Sequence, residues 1–67
     1  MPPEPKLDWK VYRYKVDAGY EMSLCPSTQE PWDYLDLPRV VEMELRATLH
    51  GCTRAKAESV LGTLHLD

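Results

Sequence analysis

Met43-Glu44-Leu45-Arg46-Ala47-Thr48-Leu49-His50-Gly51-Cys52-Thr53-Arg54-Ala55-Lys56-Ala57-Glu58-Ser59-Val60-Leu61 reads as a helix, a glycine-centred turn and a second helix. The first helix is predicted to begin near Asp36 to Pro38, with the aspartate as cap and the proline in the tolerated first turn, and to run to His50, where Gly51 stops it. Val41, Leu45 and Leu49, spaced by four, make its best apolar stripe. Val40, Met43 and Ala47 make a narrower one, and Glu42 and Arg46 form a favourable i,i+4 pair between the two. Thr53 is placed to cap the last helix, in which Ala57, Val60, Leu61 and Leu64 recur at helical spacing, and Gly62 is positioned to end it. The alternating tail Leu64-His65-Leu66 offers a short strand instead.

Upstream, Trp9 to Val16 and Tyr20 to Cys25 flank Asp17-Ala18-Gly19, the pattern of a β-hairpin with a three-residue loop in which Gly19 takes the left-handed position. That register sets Val16 against Tyr20, Tyr14 against Met22 and Tyr12 against Leu24, which predicts the buried face. Lys15 then opposes Glu21, Arg13 opposes Ser23 and Val11 opposes Cys25 on the solvent side. Between hairpin and helices, Pro26 to Leu37 carries a Ser-x-x-Glu capping signature, and Pro31 limits it to one helical turn near Trp32 to Leu35. Residues 1–8 hold three of the six prolines and read as an extended arm, leaving 9–67 as one small domain. The fold class that follows is α+β, an N-terminal β-hairpin packed against two C-terminal helices in the order ββαα.

Sixty-seven residues with 43% hydrophobic and 28% charged content describe one small globular unit, with little room for an enclosed pocket. No apolar run reaches the ~20 residues of a membrane span, and Met1 to Lys6 lacks the apolar core of a signal peptide. The expectation is therefore a cytoplasmic protein made as a short complete product, without a membrane partner. Cys25 and Cys52 read as free thiols in a reducing compartment. Cys25, His50, Cys52 and His65 lack the intervals of zinc modules, so no metal is expected. No triad spacing, phosphate loop or paired-carboxylate cleft is present, and the chain is read as a non-enzyme without a cofactor.

Two binding readings compete. Ala47 and the turn glycine Gly51 are four residues apart, which resembles the DNA-binding helix-turn-helix. That resemblance implies a regulator whose second helix reads DNA with Arg54, Lys56 and Ser59, against Glu58. Arg46 and His50 depart from it, falling where such units bury apolar residues. The preferred reading is a protein-binding module. The six aromatics are two tryptophans and four tyrosines, all with a polar handle and of the types that dominate interface hot spots. Trp9, Trp32 and Tyr34 lie outside the paired hairpin face, although Trp9 and Trp32 could equally cover the ends of the core. Asp33, Asp36 and Glu42 add acidity around them, suited to a basic surface on a larger, nucleic-acid-handling protein. In size and composition such a chain is similar to the accessory inhibitors carried by phages and mobile elements, and it would act as monomer or homodimer.

Overall fold

The computed structural model describes residues 3–17, 19–33, 35 and 37–64. They form three antiparallel strands followed by one helix. Strand β1 spans Leu7–Val16, β2 spans Gly19–Pro26, β3 spans Val40–Cys52, and the helix α1 spans Arg54–Leu61. Two short 3-10 turns, Pro31–Asp33 and Leu37–Arg39, lie between β2 and β3. The sheet order is β2-β1-β3, so β1 is central and hydrogen-bonded on both sides.

This overturns the ββαα expectation. The stretch read as the first helix is a 13-residue strand, and no helical hairpin is present among the described residues. From Val41 to His50 apolar and polar residues alternate without a break, which is the two-residue period of a strand. The Met, Glu, Leu and Ala of this stretch favour helix by only tenths of a kcal/mol each. Pairing along the whole of β1, itself rich in Val, Tyr and Trp, outweighs that preference.

The hairpin is present, with its register one residue away from the expected one. Val16 pairs with Gly19, Lys15 with Tyr20, Arg13 with Met22 and Val11 with Leu24. The turn closes one residue earlier because Asp17, at φ 54°, takes the left-handed conformation assigned to Gly19. A one-residue slip turns every side chain to the opposite face. Val11 and Cys25, expected opposite one another on the solvent side, now lie on opposite faces, and both are buried, Val11 at 0% exposure.

Alternation along the strands gives each face of the sheet a distinct composition. Trp9 and Val11 of β1 share a face with Leu24 of β2 and with Ala47 and Leu49 of β3. Helix α1, which touches all three strands, covers that end of the face with the buried Ala57. Thr53 caps it as expected, its Oγ1 accepting from the Lys56 N–H at 3.1 Å, and the Gly62 N–H donates to the Glu58 carbonyl at its end. On the opposite face Lys10, Cys25 and Thr48 lie level with one another. Residues 27–33 close over that end: the Cys25 thiol donates to the Pro26 and Gln29 carbonyls, and Pro31 is buried.

Strand β3 is irregular. Its pairing with β1 shifts three times, leaving Val41, Arg46 and the His50-Gly51 step as extra residues. Gly51, at φ 60°, supplies the left-handed conformation at the last of these, and its N–H donates to Asp8 Oδ1 at 2.8 Å. The bulge at Arg46 reverses the phase of the alternation. Ala47 and Leu49 face α1, whereas Met43 and Leu45, also odd-numbered, pair with Tyr14 and Tyr12 on the other face.

Candidate functional site

Trp9 is the anchor of the core. It is 3% exposed, its indole Nε1 donates to the Cys52 carbonyl at 3.0 Å, and the Arg54 guanidinium lies 5.8 Å from its ring centre. The central strand has neighbours on both sides, and this places the indole beneath the start of α1. Trp9 is thereby removed from the candidate contact surface, because a ring buried in this way cannot reach a partner.

Trp32 stands in the opposite situation. It projects from the 3-10 turn Pro31–Asp33 and is 55% exposed, while the preceding Pro31 is buried and fixes the turn to the sheet. Asp33 and Glu30 are both exposed beside it. Their charges reach Cys25: burial pushes this thiol above its usual range, Asp33 raises it further, Lys10 opposes and Glu30 adds to the rise. Asp33 therefore belongs to the Lys10–Cys25 level of the sheet. Tyr34 and Asp36, the other expected members of this patch, lie outside the described residues.

Glu42 is not part of the same cluster. It pairs with Lys15, five positions along β1 from Lys10, which is roughly 16 Å at strand spacing. Around it lies a notch of about 250 Å³ lined by Arg13, Tyr14, Lys15, Tyr20, Glu42, Met43 and Glu44. The Arg13 guanidinium carbon is 4.1 Å and Lys15 Nζ 5.7 Å from the centre of the Tyr20 ring. Glu44 turns toward Arg46, 3.6 Å away. Two bases and two acids over one ring make a mixed-charge face with no single sign to select a ligand.

A second cleft, about 280 Å³, opens between the end of β3 and α1 and is lined by Thr48, Leu49, His50, Cys52, Lys56 and Val60. Cys52 is a half-buried free thiol there. The two cysteines should separate cleanly under a disulfide reagent such as DTNB at pH 8. Cys52 is expected to react first, and Cys25, buried and with its thiol held protonated, at least tenfold more slowly, a ratio of order set by thiolate fraction and access. Equal rates would show that residues 27–33 do not close over Cys25.

The residues proposed to read DNA stand on α1 without the preceding helix that would present them. Arg54 Nε is held by Glu58 Oε1 at 3.1 Å, the Lys56 N–H is used in the Thr53 cap, and Ser59 is exposed on a later turn. A helix-turn-helix docks as two helices, one crossing the backbone and one in the groove. Here a strand replaces the first, and the reading loses its geometry. Among the described residues no group of three or more His, Cys, Asp or Glu side chains is arranged to hold a metal ion, and no helix is long and apolar enough to cross a membrane.

Strand β3 also carries exposed apolar residues. Val41, Met43 and Leu45, read as parts of two helical stripes, are 66%, 41% and 50% exposed on β3. Strand alternation would have put them on one side, but their exposure depends on the Arg46 bulge, which has no signature in the sequence. No protein-family model, curated protein or solved structure matches the chain.

Proposed function

We propose that this protein is a small non-catalytic binding module that inhibits or modulates a larger protein by occupying part of its surface. The observation that supports this reading most directly is Trp32. A tryptophan that is 55% exposed on a turn pinned by a buried proline contributes little to the core, yet it is the residue type most enriched at interface hot spots. Its setting beside Asp33 and Glu30, on a chain of net charge −3, suits a pocket with a basic rim. A nucleic-acid-handling protein offers such a surface. In this reading the larger protein, and not nucleic acid, is the partner.

The test is affinity capture with tagged protein from lysate of the source organism, run with and without nuclease, followed by titration of the captured protein. A stoichiometric protein retained after nuclease treatment is expected. Trp32→Ala should weaken its binding by at least about tenfold, as loss of a central aromatic anchor does, while the far-UV circular dichroism stays unchanged. Undiminished affinity in the folded variant would remove Trp32 from the contact. Recovery of nucleic acid alone would remove the reading itself.

A further inference from the structure

Beyond the helix, the register of the sheet sets acids directly against bases. Lys15 of β1 stands level with Tyr20 of β2 and with Glu42 of β3, and Arg13, two residues along, stands level with Glu44. Side chains opposite one another on neighbouring strands are about 4.5–5.5 Å apart at Cβ, close enough for opposite charges to pair. Here they do not. Among the described residues Arg13, Lys15 and Glu42 form no ion pair, and Glu44 turns to Arg46 instead.

The bases are drawn the other way, over the Tyr20 ring, with the Arg13 guanidinium carbon 4.1 Å and Lys15 Nζ 5.7 Å from its centre. Stacking holds the Arg13 head but supplies no acceptor. Its Nε–H is buried without a hydrogen-bond partner among the described residues, whereas about nine in ten buried polar groups have one. Positive charge is thus gathered on the β2 side and negative charge on the β3 side. The notch of about 250 Å³ lies between them, and Tyr14 and Met43, whose side chains point to the other face, form its floor.

We infer that this notch is a binding site for a small zwitterion, a free α-amino acid, whose carboxylate meets Arg13 and Lys15 and whose ammonium meets Glu42 and Glu44. Each half of the site rejects what the other would accept. A phosphate or other anion drawn to the bases would face two carboxylates, and a metal cation between the acids would face a guanidinium and an ammonium. A peptide end brings only one of the two charges. An α-amino acid carries both on one carbon, and its carboxylate can take paired N–H donors from the guanidinium that Tyr20 holds in place. The volume suits a ligand of this size, since pockets for drug-sized molecules start at roughly 300 Å³.

This inference uses none of the residues of the Trp32 turn, so it and the protein-binding reading can fail separately. Titration of the whole chain with glycine and with L-leucine, followed by two-dimensional amide NMR, is expected to give saturable shifts at Arg13, Lys15, Tyr20 and Glu42. Half-saturation should fall at about 1 mM or below, the strength that several open ion pairs support. The amide of the bound amino acid, which lacks the carboxylate, and its N-acetyl derivative, which lacks the ammonium, should each bind at least about tenfold more weakly. Glu42→Gln, at an exposed position where the fold is not at stake, should weaken binding to a similar degree, and Glu58→Gln on α1 should not. No saturable shift with either amino acid up to about 50 mM overturns the inference. So do shifts centred elsewhere, an amide or N-acetyl derivative that binds as tightly as the parent, or a Glu42→Gln chain of undiminished affinity.

Discussion

Trp9→Ala is expected to leave most of the chain unfolded at 25 °C. Removing a buried tryptophan from a core costs about 3–5 kcal/mol through lost transfer energy and the cavity left behind. A single domain of this size holds roughly that much in total. The substitution also strips the Cys52 carbonyl of its indole donor and takes away the ring beneath the Arg54 guanidinium. Far-UV circular dichroism and urea titration would show a chain without a cooperative transition. Trp9→Phe separates the two contributions. It keeps most of the apolar bulk and loses only the N–H, so it should fold with a stability lowered by about 1–3 kcal/mol, the cost of an unsatisfied part-buried carbonyl plus a small void. A Trp9→Ala protein within 1 kcal/mol of the parent would place the core elsewhere.

Deletion of Arg46 should be nearly as damaging, and for a reason unrelated to its charge. The bulge lets Met43 and Leu45 face one side of the sheet and Ala47 and Leu49 the other. With the residue gone, the alternation continues unbroken. Either Ala47 and Leu49 leave the side covered by α1, or Met43 and Leu45 turn onto the face that bears Arg13 and Lys15. Loss of the half-buried Leu49 from beside Trp9 would cost a part of the roughly 2–5 kcal/mol that removal of a fully buried leucine does. Arg46→Ala keeps the extra residue and removes the side chain, including its 3.6 Å contact with the exposed Glu44. Its cost should be below about 1 kcal/mol. Thermal unfolding of the two variants side by side distinguishes a bulge that sets register from an ion pair. If the substitution proved as harmful as the deletion, the charge would be the operative element.

The same bulge explains much of what was hard to read from the residues. Helix α1 was legible because its signals are local: Thr53 three residues before Lys56, and Gly62 after Leu61. Strand β3 was misread because Val41, Leu45 and Leu49 are spaced by four, a multiple of the strand period as well as close to one helical turn. Met43 and Ala47, halfway between them, decide for the strand, and they had been set aside as a second helical stripe. The hairpin was legible and its register was not, because Asp17 as well as Gly19 can adopt the left-handed conformation that closes the turn. For Trp32 the residues left two readings open, surface anchor or cover for an end of the core, and its 55% exposure follows from the fold. Trp9 carried the same two readings, and its burial as core depends on β3 and α1 closing around the central strand. The separation of Glu42 from Asp33 likewise follows from topology and had no counterpart in their nearness along the chain.

The central position of β1 has a consequence for the order in which this chain folds. Hairpin pairing of β1 with β2 is a local event, of the kind completed in about 1–10 µs. Docking of β3 on the other edge of β1 joins residues as distant as Trp9 and Cys52, 43 positions apart, and loop closure over such distances slows folding. During synthesis, the open edge of β1 therefore waits until residue 52 has emerged. At the usual 5–20 residues per second, the roughly 26 residues between the end of β2 and that point take about 1–5 s. For that interval the strand carrying Trp9 and Val11 has one edge bare, and it is in the nascent chain, more than in the finished molecule, that this protein is most open to mispairing.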